Sequence, residues 1–198
     1  MYLSKSKYCR LWQCEKQFWL DANHPELQTK DSSSEGRMIT GIEVGQLAMG
    51  LFGDYTKVTV LNEDGRPDIP AMIEKTKTCL DAGIKNICEA AFSYEGLYCA
   101  VDILRKQKKG YAIYEVKSST KETEIYGVDI AYQKYVLEHC GVKVTGTYLV
   151  CIEAGRKILC KRFSTRSRMA LESRADSGLN SLFFESHGGQ NGMRAGTA

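Results

Sequence analysis

Charged residues interrupt two apolar stretches near the middle of the chain. Asp102 lies within Ala-Val-Asp-Ile-Leu, and Glu115 and Lys117 flank Val116 in Tyr-Glu-Val-Lys-Ser. Successive side chains of a β-strand point to opposite faces, so Glu115 and Lys117 would share one face and Val116 the other. The spacing therefore predicts a carboxylate and an ammonium group side by side on the same strand.

A hairpin between the two stretches would add a second carboxylate to that face. If the chain turns about Lys108 and Lys109, Asp102 falls directly opposite Glu115. Two neighbouring carboxylates repel each other unless a cation or a shared proton lies between them, and oxygen ligands suit Mg²⁺ or Mn²⁺. Such an ion would polarise a phosphodiester and activate a water, while Lys117 orients that water or offsets charge on phosphorus. The pattern indicates metal-dependent phosphodiester hydrolysis.

Other interpretations compete with this one. Glu115 and Lys117 would also fit a solvated strand face, because short carboxylate motifs have many chance matches. The three histidines, His24, His139 and His187, are too scattered for zinc or histidine-based nucleophilic chemistry. The sequence has no glycine-rich phosphate loop followed by Lys and Ser or Thr, which argues against an ATPase.

The surrounding sequence alternates helical and strand patterns. Apolar spacing and turn residues predict an aromatic-rich N-terminal helix over 1–20, a loop over 21–36, helices over 38–53, 69–82 and 125–141, and strands over 86–92, 97–105, 111–118, 144–152 and 157–163. Helix, three-stranded meander, helix and strand make an α/β order. We expect one domain over 1–163, with its core from 37, and a disordered Ser-, Gly- and Arg-rich tail over 164–198.

Composition limits the class of protein. A chain of 198 residues with 43% hydrophobic content supports one sizeable core. The net charge of +3 is small, so any surface that binds nucleic acid must be local. No signal peptide or membrane-spanning run is visible, and the cysteines lie mostly in apolar runs, so we expect a cytoplasmic protein with reduced thiols.

The order of these motifs resembles a known family. VDIL, then YEVKSS, then a helix with DIAYQKYVL is similar to the PD-(D/E)XK nuclease superfamily, in particular RecB-like exonucleases with CRISPR-associated members. The opening LSKSKYCRLWQCEKQFWL resembles an uncharacterised bacterial group that begins with LSKSK. The likeness covers most of 2–152 and implies a restriction-endonuclease-like core. It also implies Mg²⁺- or Mn²⁺-dependent cleavage of DNA, exonuclease-like on single strands or duplex ends.

The resemblance also implies residue roles. It makes Asp102 and Glu115 metal ligands, with the Val116 carbonyl as a further ligand, and it makes Lys117 the catalytic lysine. Gln133 matches the glutamine that RecB-like members place near the metal and the attacked phosphate.

Three further positions match the family less closely. Glu43, on the first core helix, is the candidate third acidic ligand, with an exposed helical glutamate as the alternative. The tyrosine expected four positions after the glutamine is replaced by Leu137, which leaves the role of Tyr135 open. Glu89, ahead of the Asp102 strand, is interpreted as structural.

Two alternatives remain from the sequence. Some RecB-like nucleases hold an iron–sulfur cluster, and Cys14 matches the N-terminal ligand, but Cys151 and Cys160 do not form the closely spaced C-terminal trio. Members of the resembling group are usually longer, which leaves open a fragment or truncated gene product. The alternative function is a catalytically inactive module of the same fold that binds nucleic acid or a protein.

Overall fold

The protein folds around a mixed seven-stranded sheet flanked by helices, which confirms the expected α/β class. The computed structural model describes residues 2–28, 32–119, 123–153 and 157–163, and side chains only outside 32–40, 152–153 and 157–159. The elements are β1 (Leu3–Ser4), α1 (Lys5–Gln13), α2 (Glu15–Asn23), α3 (Ser32–Met49), β2 (Thr56–Lys57), α4 (Ile69–Asp81), β3 (Asn86–Tyr94), β4 (Leu97–Gln107), β5 (Gly110–Lys117), α5 (Glu124–His139), β6 (Val144–Glu153) and β7 (Lys157–Arg162). Short 3₁₀ turns cover Pro25–Leu27 and Gly50–Phe52.

Strands β2 to β7 lie in chain order across the sheet, and β1 pairs with β4 outside that path. Strands β3, β4 and β5 form the expected antiparallel meander, and α5 carries the chain to β6, which runs parallel to β5. One face of the sheet packs against α1, α4 and α5 through a large apolar cluster. The other face packs against the end of α3. Both faces are therefore covered, so a charged group inside the sheet needs partners.

The β4–β5 hairpin has the register expected from the sequence. Ile103 pairs with Tyr114 and Gln107 with Gly110, so Lys108 and Lys109 form the turn. Moving away from the turn, regular pairing ends at Ile103 and Tyr114, so the next residues on each strand, Asp102 and Glu115, are not paired with each other. There the Val116 amide donates a hydrogen bond of 2.7 Å to Asp102 Oδ2 instead of to a strand carbonyl. The two strands separate at the acidic residues.

The N-terminal region differs from the single helix expected over 1–20. Leu3 and Ser4 form a strand, and Cys14 interrupts the helix with extended backbone angles, φ −161° and ψ 106°. Its Sγ accepts the Gln17 amide and so caps the start of α2. The expected loop over 21–36 is also shorter, because α2 continues to Asn23 and α3 begins at Ser32, within a run of serines that suits a helix start. The tail over 164–198 lies outside the described residues.

Strand β1 fixes where α1 begins. Leu3 pairs with Leu97 and Ser4 with Tyr98, in parallel. At this level β3 occupies the opposite edge of β4, since Ser93 pairs with Tyr98. Strand β1 therefore takes the edge of β4 that β5 has left. Because α1 starts at the next residue, its first side chain, Lys5, projects beside the opened strands.

The buried Tyr132 on α5 anchors this N-terminal segment. Its hydroxyl donates to the Leu3 carbonyl and accepts from the Tyr98 amide at 3.2 Å, and its ring stacks on Tyr8 with centroids 4.9 Å apart.

Within the described residues, no helix has the length and apolar character needed to cross a bilayer.

We predict that Tyr132→Phe lowers the free energy of unfolding by about 1–3 kcal/mol, because the buried Leu3 carbonyl loses a hydrogen-bond donor and the Tyr98 amide loses an acceptor. Urea denaturation of the full chain measures this change. The control is Tyr55→Phe, whose ring is exposed and which should change stability by less than about 0.5 kcal/mol. Equal effects of the two substitutions would show that the hydroxyl does not anchor the N-terminus.

Candidate active site

Charged and polar side chains from four elements meet where β4 and β5 separate. Helix α1 contributes an ammonium group, β4 a carboxylate, β5 a carboxylate and an ammonium group, and α5 a carboxylate and an amide. In chain order these residues are Lys5, Asp102, Glu115, Lys117, Asp129 and Gln133. We call them the carboxylate–lysine cluster. It contains the four catalytic candidates from the sequence and two residues that sequence analysis missed.

Glu115 is the centre of the cluster and only 1% of its side chain is exposed. Its Oε1 accepts from Lys117 Nζ at 2.6 Å, and its Oε2 accepts from Lys5 Nζ at 3.0 Å and from Gln133 Nε2 at 2.6 Å. A carboxylate this deeply buried is stable only with such donors around it. Strand period two brought Glu115 and Lys117 onto one face, as the sequence predicted.

Asp129 adds a third carboxylate that sequence analysis did not single out. Its Oδ2 accepts from Lys117 Nζ at 2.6 Å and its Oδ1 from Gln133 Nε2 at 2.8 Å. Asp129 and Gln133 are four residues apart on α5, so both side chains lie on the same helix face. That spacing was the available signal, because a helix that presents Gln133 to the site must also present Asp129.

Lys5 lies among all three carboxylates. Its Nζ is 3.0 Å from Glu115 Oε2, 3.6 Å from Asp102 Oδ1 and 3.9 Å from Asp129 Oδ1. No local sequence pattern indicates this contact, since Lys5 reaches Glu115 from 110 positions away along the chain. It depends on β1 pairing with β4.

Burial and charge shift the pKa values of the acids in different directions. Burial and the Glu115 carboxylate raise the pKa of Asp102 to about 7 and also raise the pKa of Asp129. Burial opposes ionisation of Glu115 too, but the ammonium groups of Lys5 and Lys117 hold its pKa at about 2. Three carboxylates share two ammonium groups, so the fully ionised cluster carries one uncompensated negative charge.

The oxygen donors of the cluster have the chemistry that a hard divalent cation prefers. Carboxylate oxygens are the ligands that Mg²⁺ and Mn²⁺ prefer, and the Lys5 ammonium already acts as a stand-in cation within 4 Å of three of them. Gln133 Oε1 is buried and has no hydrogen-bond partner among the described residues, so it can accept a further donor. As they stand, however, no three acidic, cysteine or histidine side chains of the described residues are arranged around a vacant ion position.

The structure does not bring Glu43 into the cluster. Its side chain on α3 is exposed, and no described hydrogen bond or ion pair joins it to the acids, so its role as a metal ligand stays a prediction. Tyr135 packs against His139, with ring centroids 4.0 Å apart, and Leu137 is buried in the apolar core. Cys14 is exposed at the α1–α2 junction. The role of the Val116 carbonyl as a further metal ligand likewise stays a prediction.

Glu89 lies closer to the cluster than the sequence indicated. The β3–β4 ladder is regular on both sides of Glu89 and Asp102 but is interrupted between them, and Glu89 has φ of +58°. Burial raises the pKa of Glu89, and its charge contributes to the raised pKa of Asp102. A residue with a side chain is strained at this φ, and such strain often accompanies functional sites.

Comparisons with known proteins support the fold. No protein-family model matches the sequence, and no curated protein matches it either. A solved structure of a protein from Eubacterium rectale, named "Putative exonuclease", matches 98% of this chain and 84% of its own length, with 12% identity and a TM-score of 0.50. The solved structure of SSO0001 matches 81% of this chain and 66% of its own length, with 9% identity and a TM-score of 0.36. At these identities the first likeness establishes a shared fold.

We predict that Glu89→Gly is more stable than Glu89→Ala by about 1 kcal/mol, because only glycine adopts a positive φ without strain. Both variants lose the same carboxylate, so the difference reports the backbone alone. Thermal or urea unfolding measures it. At the exposed strand residue Lys106 the order should be reversed, with alanine more stable than glycine by about 0.5–1 kcal/mol. If the glycine and alanine variants have the same order of stability at both positions, the backbone at Glu89 is not strained.

Proposed function

We propose that this chain is a Mg²⁺- or Mn²⁺-dependent nuclease that hydrolyses phosphodiester bonds of DNA, with exonuclease-like action on single strands or duplex ends. The observation that carries the proposal is the convergence of three carboxylates on one cation position, beside a second lysine. The name of the Eubacterium rectale structure and the resemblance to PD-(D/E)XK nucleases point in the same direction.

The acidic residues would hold the ion. Asp102 and Glu115 project from adjacent strands, and Asp129 faces them from α5, so one ion at the strand opening could draw on all three once the Lys5 ammonium group leaves that point. A bound divalent ion would supply Lewis-acid activation of a phosphoryl oxygen and of a water. Asp102 is the most accessible of the three acids, with 24% of its side chain exposed, so substrate would approach from its side.

Lys117 and Gln133 would act on the reacting groups. The Lys117 side chain is 23% exposed and its Nζ lies 2.6 Å from Glu115 Oε1 and from Asp129 Oδ2, so it is held at the edge of the ion position. There its charge can stabilise negative charge that develops on the phosphate. Gln133 orients Glu115 and Asp129 through its amide nitrogen, while its free carbonyl oxygen can accept a hydrogen bond from a water.

DNA would bind through local positive charge, since the net charge is only +3. Lys134, on the helix that carries Gln133, lines a surface cavity of about 390 Å³ together with Arg162 and Thr145. Such a cavity can accept phosphate oxygens, and the affinity for DNA would then fall as salt rises. Lys121, which follows Lys117 closely in the sequence and is also predicted to contribute positive charge beside the site, lies outside the described residues.

A binding module without turnover is the second candidate. It is favoured by one observation, namely that Lys5 neutralises the acids where an ion would be needed. Such a module would bind DNA with equal affinity in Mg²⁺ and in EDTA and would not cleave it. A nuclease assay on single-stranded and blunt-ended linear DNA, with Mg²⁺, Mn²⁺ or EDTA, separates the two candidates.

We predict that Lys117→Ala lowers the rate of DNA cleavage by about 100- to 1,000-fold, because the variant loses a positive charge at the reacting phosphate but no metal ligand. Its affinity for Mn²⁺, measured by isothermal titration calorimetry, should stay measurable. Lys109→Ala, in the exposed β4–β5 turn, is the matched control and should cleave at the parent rate.

Asp102→Ala should lose both cleavage and most Mn²⁺ affinity, because it deletes an oxygen ligand. DNA binding in EDTA should persist or increase slightly, since a negative charge has been removed. If Lys117→Ala and Asp102→Ala both cleave DNA like the parent, the activity arises elsewhere and the binding module becomes the better description.

A further inference from the structure

Lys5 occupies the centre of the proposed ion position although it belongs to a separate element of the fold. Its Nζ approaches an oxygen of each of the three carboxylates, at 3.0, 3.6 and 3.9 Å. Lys117 contacts Glu115 and Asp129 from the other side. Nothing in the proposed chemistry requires a second ammonium group at that point. A divalent cation that binds the three carboxylates would meet this ammonium group.

We infer that Lys5 is a built-in competitor of the metal ion, whose ammonium group closes the carboxylate site in the metal-free protein and must be displaced when a divalent cation binds. The inference rests on the proposed function and concerns the metal-binding step alone.

Charge balance supports an exchange of Lys5 for the ion. With Lys5 in place and all three carboxylates ionised, the carboxylates face two ammonium groups and one negative charge is uncompensated. With Lys5 withdrawn and a divalent ion bound, the ion and Lys117 balance the three carboxylates. With both cations present the site would carry an excess positive charge, and two cations a few ångströms apart repel each other strongly in a buried site.

The exchange needs no movement of the backbone. Helix α1 is anchored by Tyr8 and Leu11, which are buried, and by the β1–β4 pairing. The lysine side chain has four rotatable bonds and 19% of it is exposed, so a change of side-chain rotamer can move its ammonium group away from the carboxylates. The metal-free arrangement is then a closed state. The measured metal affinity equals the affinity of the open state multiplied by the fraction of protein that is open.

The test is Mn²⁺ binding to the metal-free full-length chain, measured by calorimetry or by the electron paramagnetic resonance signal of free Mn²⁺. Lys5→Met keeps the length of the aliphatic chain and removes the charge, and it should bind Mn²⁺ at least about tenfold more tightly than the parent. Lys7→Met changes an exposed lysine on the same helix and should stay within about twofold of the parent. Lys5→Arg keeps the positive charge and should bind Mn²⁺ no more tightly than the parent.

The outcomes separate this inference from the proposed function. Equal Mn²⁺ affinity of the parent and Lys5→Met would overturn the competitor role and leave the metal-dependent nuclease intact. Absence of Mn²⁺ binding in both proteins would overturn both. Tighter binding by Lys7→Met as well would assign the effect to net charge and overturn the specific role of Lys5.

A measurement on the unmodified protein covers the case in which Lys5→Met does not fold. The Lys5 ammonium group, held by Glu115, should give a slowly exchanging signal in ¹⁵N NMR of the lysine side chains, assigned with Lys5→Arg. Addition of Mg²⁺ should abolish or shift this signal, while the Lys117 signal remains. A Lys5 signal that is unchanged when Mg²⁺ saturates the site would contradict displacement.

Discussion

The fold depends on compensation of negative charge at the opening between β4 and β5. Glu115 is nearly completely buried beside two other acids, and an isolated carboxylate in such a place would cost several kcal/mol. Lys5, Lys117 and Gln133 supply the donors that make the arrangement stable. Because each donor comes from a different part of the chain, the site forms only when the N-terminal segment, the meander and α5 are all in place.

An interruption of the sheet beside Asp102 and Glu115 makes this clustering of charges possible. Regular pairing of β3 with β4 is broken at Glu89 and Asp102, and pairing of β4 with β5 stops after Ile103 and Tyr114. The opening lets the Val116 amide bond to Asp102 and leaves an edge of β4 for β1. A continuous ladder would exclude β1, and the N-terminal helix would lose the position from which Lys5 reaches the acids.

The sequence predicted those parts of the site that depend on local periodicity. Strand alternation placed Glu115 with Lys117, and the turn at Lys108 and Lys109 set the hairpin register that brings Asp102 near them. Helical spacing could also have identified Asp129. The role of Lys5 could not be predicted from the sequence. Its position depends on a two-residue parallel strand that pairs with residues far along the chain, and so short a strand has no recognisable periodicity. The split of the N-terminal helix at Cys14 was missed for a related reason, since cysteine is an uncommon helix cap.

The metal site is tested most directly by locating Mn²⁺ through anomalous diffraction from a crystal of the full-length chain soaked in that ion. We predict an anomalous peak within about 2.0–2.4 Å of carboxylate oxygens of Asp102 and Glu115, with the Lys5 ammonium group withdrawn from its place between them. Asp129 should lie at or next to the same ion. A fully soaked crystal with no peak at the cluster, and with Lys5 still bonded to Glu115, would contradict the assignment of these acids to a metal-dependent active site.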